Sequence, residues 1–354
     1  MSGLTGLPVG SCILVTGANG FIASHVINTL LLLEYRVRGT VRTAKPWLDV
    51  FFEDKFGRGV FESFVLTDFE NPEMLDNCMS GIAGVVHVAS DVSFSNDPDT
   101  VIPWVVRAVE NFLKAASRHP PVKRFVLTSS SAAALVPVTN QKGVRVDEDT
   151  WNETAVKVAS DPNTKSTENA WPITVYAASK TLSEQMAWNW IQEHSPGFIF
   201  NTVLPNFNVG EVLHENFRGS SMGMIRGLLN DNKSIFDFFI PRGEINKMLN
   251  CFNVLEHYVD VTDTARLHAI ALLAPNIQSQ RIFAFAGPLN MTDIILALRE
   301  LRPEYHFDDP KPNEGQDLTD VAPAAKAEKL LEEFFGQKRW IHYKKSIADG
   351  ICDL

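Results

Sequence analysis

The sequence has no unbroken apolar run near the ~18 residues that a membrane span requires. Its amino end shows no basic segment ahead of apolar residues, so neither a span nor a secretory leader is expected. Cysteines are few: Cys12, Cys78, Cys251 and Cys352 stand far apart, with no CxxC among them. That excludes a disulfide framework and a cysteine zinc site, and fits the reduced thiols of a cytoplasmic protein. No run of lysine or arginine offsets a formal net charge of −10, so nucleic acid and anionic membranes are not expected as partners. The nine histidines include no HxxxH pair, and no metal site is expected. Glycosylation sequons at Asn152, Asn232 and Asn290 lack the leader that would give them meaning. Internal repeats and low-complexity tracts are absent too.

What remains is an ordinary globular chain: 354 residues, 45% hydrophobic and 21% charged, long enough for one large or two unequal domains. Its first half alternates short apolar runs with amphipathic stretches. "CILVTG" (12–17), "YRVRGTVR" (35–42), "VFESFVL" (60–66), "GVVHVAS" (84–90), "RFVLTSS" (124–130) and "FIFNTVLP" (198–205) read as strands. Helical spacing runs through 21–33, 100–118 and 173–194. Strand–helix alternation with buried strands predicts an α/β fold, a Rossmann-type doubly wound parallel sheet. The rhythm breaks after Pro205. The reading is a dinucleotide-binding domain over 1–205, to which 257–273 returns, and a smaller substrate-binding part over most of 206–354.

"LVTGANGFIASH" (14–25) sets Gly17, Gly20 and Ala23 three apart between a strand and a helix. Small residues there permit a tight turn, close backbone approach to a pyrophosphate and tight helix packing, while the helix N-terminus offers free N–H groups. The corner as a whole, Gly17, Asn19, Gly20, Phe21 and Ile22, is the candidate phosphate cradle. The pattern is GxxGxxA, a partial match to the general fingerprint. An acid at the end of the second strand would favour NADH over NADPH. None stands there; Arg42 does, with Lys45 after it and Arg38 earlier on the strand, so NADPH is the expected cofactor.

"TVYAASK" (174–180) places Tyr176 and Lys180 one helical turn apart on one face. A free phenol has a pKa near ~10, and a neighbouring ammonium would lower it toward useful acid–base work. "LTSSSAAAL" (127–135) brings hydroxyls to the carboxyl edge of the sheet, where one can hold a carbonyl oxygen as charge develops. Phe94, Trp171, Ile173 and Phe207 flank these motifs and are candidates for an apolar substrate pocket.

Taken with "VRGTVR", "HVAS", "VDEDTW", "VLPNFNVG" and "YVDVTDTARLH" in order, the sequence resembles the extended short-chain dehydrogenase/reductases. Within them it is most similar to the dihydroflavonol reductase branch and to fungal or yeast NADPH-dependent aldehyde and ketone reductases. The resemblance covers most of the chain. It implies that Tyr176 donates the proton and that Lys180 lowers its pKa and holds the nicotinamide ribose. It implies Ser130 as the polarising hydroxyl, with Ser131 open as the alternative, and Asn111 as a helical asparagine supporting Lys180 through water. On the cofactor side it implies Asp68 with Phe69 at the adenine, and Ala89 and Ser90 at the turn near the pyrophosphate and ribose; Thr128 is a further cofactor-binding candidate. Pro205 and Asn206 would lie beside the carboxamide, with Ser220 and Ser221 capping a helix or touching cofactor.

The expected activity is NADPH-dependent reduction of aldehydes or ketones, keto esters among them, by a monomer or homodimer. Sugar-nucleotide epimerases and dehydratases are the nearest alternative. Dehydratases add an acid pair just after the active-site hydroxyl, whereas Ser131-Ala132-Ala133 stand there. A non-catalytic NADPH-binding regulator would need the glycine corner but not Tyr176, Lys180 and a serine together. "GSSMG" (219–223) matches a serine-hydrolase elbow, which requires a strand before it and a helix after it.

Overall fold

The computed structural model describes residues 6–161, 171–217, 219–229, 256–307, 309–310 and 312–354. Strand β1 (Cys12–Val15) is followed by α1 (Phe21–Leu32), β2 (Arg36–Val41), α2 (Pro46–Phe56), β3 (Phe61–Val65) and α3 (Pro72–Met79). Then come β4 (Ile82–His87), α4 (Pro98–Arg118), β5 (Arg124–Thr128), β6 (Arg145–Val146), α5 (Glu153–Ser160) and α6 (Trp171–His194). Strands β7 (Ile199–Pro205), β8 (Phe207–Val209), β9 (Glu256–Asp260), β10 (Arg281–Ala284), β11 (Gly287–Leu289) and β12 (Asp320–Val321) complete the strand set of the described residues.

Seven strands form one sheet in the order β10-β7-β5-β4-β1-β2-β3, every pair parallel. The central strands are apolar along their whole length because helices cover both faces; every residue of β5 is buried. On one face α1 packs beside the helix Val261–Leu273, with Val26, Ile27, Leu30 and Leu272 fully buried against Ile13. On the other, α3, α4 and α6 enclose Leu14, Phe112, Phe125 and Trp190. Strand order reverses between β1 and β4, and the cleft outside their carboxyl ends is where ligands bind in this architecture.

Beyond Pro205 the chain divides its loyalties. The helix Val261–Leu273, strand β10 and the helix Ala324–Phe335 belong to the layers of the large sheet. A three-stranded sheet, β11-β9-β8, and the helices Ser220–Gly227, Met291–Leu301 and Tyr343–Gly350 build a separate core around Val209, Ile225, Tyr258, Leu298 and Ile347. The small part touches the glycine corner through Gly219, where an added Cβ would stand 2.6 Å from Phe21 Cβ. Gly219→Ala should therefore cost about 1–3 kcal/mol through overpacking, seen as a lower Tm. An unchanged Tm would show that this contact gives way freely. No helix of the described residues is long and apolar enough to cross a membrane.

Candidate active site

The cleft begins with Thr16 and Gly17 at the end of β1. Thr16 Oγ1 accepts the N–H groups of Val88 and Ala89, both at 2.9 Å. Its own proton is thereby directed to His87 Nδ1, 3.0 Å away, which leaves the His87 proton on Nε2. That Nε2 is buried without a partner, and burial pushes the imidazole pKa down to about 3. Gly17 takes φ +70°, and a Cβ there would lie 3.3 Å from Ala89. Gly20 heads α1 with no side-chain cap, so first-turn N–H groups face the cleft together with the positive end of the helix dipole. Ser90 Oγ is buried on the same side with no hydrogen-bond partner. A closely approached glycine turn, open helix amides and an orphaned hydroxyl fit a dinucleotide pyrophosphate.

The other positions on the cofactor side separate into two groups. Arg42 is exposed just past the carboxyl end of β2, and Lys45 is the N-cap residue of α2. Arg38 does not join them. Its guanidinium donates to Glu62 at 2.6 Å and to the Cys78 and Ser80 carbonyls at 2.9 Å, which makes it a brace of the sheet edge. Asp68 is exposed and accepts the Glu70 N–H at 2.7 Å. The Phe69 ring stacks on Trp104 at 5.9 Å and meets Phe112 edge-on at 5.2 Å, so it belongs to the core. Asn111 donates Nδ2–H to the Phe69 carbonyl at 3.1 Å, tying α4 to this loop. Asn19 and Ile22 are half-buried at the corner, whereas the Phe21 ring is packed into the small core.

Three successive turns of helix α6 meet the residues at the end of β5. Tyr176 shares a hydrogen bond with Ser130, whose Oγ also accepts the Ala132 N–H at 3.2 Å. Lys180 Nζ donates to the Thr128 carbonyl at 3.2 Å. Glu184 Oε2 accepts the Ser129 hydroxyl at 2.6 Å. It is thus Ser130, and not Ser131 in the following 3₁₀ turn, that meets the phenol. Burial raises the Tyr176 pKa, the Ser130 hydrogen bond works against that, and the Glu256 charge adds to it. Lys180 is itself pulled down to about 8 by burial. A phenol held above its ordinary value is fully protonated at neutral pH, the state required of an acid.

Thr128 contributes its carbonyl and not its hydroxyl, which lies 2.8 Å from His268 Nε2 behind the sheet. His268 Nδ1 is 2.8 Å from the Thr264 carbonyl, so Nδ1 donates and Nε2 accepts the threonine proton. Thr128→Val would leave that nitrogen buried and unpaired. We expect a loss of about 1–3 kcal/mol in urea unfolding with turnover little changed, and a large fall in kcat would contradict this placement.

Pro205 ends β7, and Asn206 Oδ1 accepts the Phe207 N–H at 2.8 Å. Ser221 Oγ–H bonds the Asn208 carbonyl, turned away from any nucleophilic role. Residues 219–223 open a helix and no strand leads into them among the described residues, so the elbow reading fails. Ser220 heads that same helix. Of the expected pocket residues, Phe94 lies with its ring 5.3 Å from that of Tyr176, in a left-handed backbone at φ +51°. Ile173 is half-buried one turn before Tyr176, and Phe207 is half-buried against the small core. Trp171 is otherwise engaged. It donates Nε1–H to the Asn96 carbonyl at 2.9 Å and packs with Val101, Val105 and Val175 as core. Glu184, His268 and Glu256 were not singled out by sequence. Glu256 opens β9, and burial with the Asp317 charge pushes its carboxyl up to about 7.

Fold and site together define a nicotinamide-dinucleotide-dependent oxidoreductase of the extended short-chain dehydrogenase/reductase class. The chain belongs to the NAD dependent epimerase/dehydratase family, whose model matches residues 13–285. The ketoreductase adrE of Penicillium rubens is 42% identical over 350 residues, spanning 98% of this chain and 97% of that one. Aldehyde reductase 2 of Sporidiobolus salmonicolor is 38% identical over 349 residues, spanning 97% and 96%. Among solved structures, yeast methylglyoxal/isovaleraldehyde reductase Gre2, complexed with NADPH, superposes with a TM-score of 0.75 at 24% identity. That match covers 96% of this chain and 97% of Gre2.

Proposed function

We propose that this protein is a cytoplasmic NADPH-dependent carbonyl reductase that converts aldehydes or ketones, keto esters among them, to alcohols. The observation that carries the reading is the pairing of Tyr176 with Ser130, one turn from Lys180, at the carboxyl end of β5. When bound, the cofactor supplies the hydride. Ser130 holds the carbonyl oxygen as negative charge grows on it, and Tyr176 delivers the proton that makes the alcohol. Lys180, anchored on the Thr128 carbonyl, presents its ammonium to the phenolate left behind and to the cofactor ribose. Arg42, exposed where an acid would mark NADH, suits the 2′-phosphate of NADPH. The ketoreductase and aldehyde reductase names of the relatives support the same chemistry.

Internal redox or elimination on a sugar nucleotide is the competing reading within the family. Elimination needs an acid and a base beyond the tyrosine. The residues after Ser130 are Ser131, Ala132 and Ala133, and no carboxylate follows the hydroxyl. A panel of aldehydes, ketones and β-keto esters with NADPH, read by loss of cofactor absorbance, tests the choice. Turnover of several carbonyl compounds is expected; conversion of a UDP-sugar without net NADPH loss would refute it.

A further inference from the structure

Glu184 is wholly buried, one helical turn beyond Lys180, in a place where a carboxylate stands only if its charge is matched. The matching is dense. Oε1 accepts Thr202 Oγ1–H from β7 at 2.7 Å, Arg281 Nε–H from β10 at 2.9 Å and Trp188 Nε1–H at 3.3 Å. Oε2 accepts the Ser129 hydroxyl, just past the end of β5, at 2.6 Å and a second Arg281 N–H at 3.3 Å. Arg281 is buried as well. Its remaining N–H groups reach the Glu148 and Thr150 carbonyls at 2.7 and 2.9 Å, and its guanidinium lies 3.7 Å from the Trp151 ring centre.

The site this pair touches is the catalytic one. Tyr176, Lys180 and Glu184 occupy successive turns of α6 and bind Ser130, Thr128 and Ser129, three consecutive residues of one strand end. Resting on the reading of Tyr176 and Lys180 given above, we propose that Glu184, held by Arg281, is a positioning residue that supplies the counter-charge beneath Lys180 and fixes the strand end bearing Ser130.

The charged and titratable groups around Lys180 set the sign. His87 faces it from β4 and is neutral, with burial holding its pKa near about 3. Tyr176 precedes it on α6, and Glu256 of β9 bears on that tyrosine. Among the influences on Lys180, burial favours the free amine and Glu184 favours the ammonium. Removing the Glu184 charge should therefore make Lys180 lose its proton at lower pH, so the alkaline limb of kcat/KM for carbonyl reduction moves acidward.

Glu184→Gln should move that limb down by about one pH unit. Because it strands a buried guanidinium, Glu184→Gln/Arg281→Met is made alongside, with both charges removed and the fold checked by circular dichroism. An acidward shift of the same sign is expected in the double variant, smaller because the Arg281 charge leaves with that of Glu184. A limb that stays in place in a folded variant, or failure of both variants to fold, would assign the pair to the fold alone and overturn the proposal. Tyr176→Phe is run in parallel. If it turns over normally, the catalytic reading fails; if it is inactive while the limb stays put, only the role of Glu184 does.

Discussion

Tyr176→Phe should lower kcat for carbonyl reduction by roughly 10²- to 10⁴-fold, the usual loss when a general acid is removed. Only the phenolic oxygen goes. The ring remains 5.3 Å from Phe94, and the backbone of α6 is untouched. Ser130 loses one hydrogen bond but keeps the Ala132 N–H, so its hydroxyl stays at the strand end. NADPH affinity, read by quenching of nucleotide fluorescence, should therefore remain near that of the unmodified enzyme. The combination is diagnostic, because a misfolded variant would lose binding and turnover together. Near-normal turnover would mean that some other group supplies the proton, and Glu256, whose charge acts on Tyr176, would be the first to examine.

Arg42→Ala is the second large effect and acts on a different step. A charge-assisted hydrogen bond to a phosphate contributes about 1.5–3 kcal/mol, which corresponds to roughly 10- to 100-fold in affinity. KM for NADPH should rise by that factor while KM for NADH stays nearly constant. kcat at saturating NADPH should change little, since Arg42 stands at the end of β2 and not beside the tyrosine. Arg38 is the control. It sits on the same strand but is bound to Glu62 and two carbonyls, so its removal should cost stability without altering cofactor preference. Equal losses with both cofactors in Arg42→Ala would remove the basis for preferring NADPH.

Much of this site could be read in one dimension because its parts are local. The glycine corner lies within a few residues of sequence, and Tyr176 and Lys180 lie on one helical turn. Turn geometry and helix periodicity alone bring such groups together. The doubly wound sheet was legible for the same reason: buried parallel strands show as continuous apolar runs. What escaped notice depends on pairing across long separations. Glu184 stands four residues after Lys180 in "SKTLSEQ", a spacing that shows the shared helix face but not the buried partner. Its partner Arg281 arrives 97 positions later on β10. Thr128 is a cofactor-binding candidate by sequence, and nothing in its neighbours shows that its hydroxyl meets His268, 140 positions away. The resemblance implies Phe69 at the cofactor and flanking a motif makes Trp171 a pocket candidate, yet their rings pack on Trp104, Phe112 and the valines of α4. An aromatic next to a motif carries no sign of which way its ring will point.

The chemistry is tested most directly by following deuterium. Purified protein is given NADPH carrying deuterium at both C4 positions and a ketone chosen from the substrate panel, and the product alcohol is examined by mass spectrometry. The account predicts one deuterium on the carbinol carbon for each NADPH oxidised, with the hydroxyl proton drawn from solvent. Unlabelled alcohol, or no NADPH oxidation with any carbonyl compound of the panel, would contradict it.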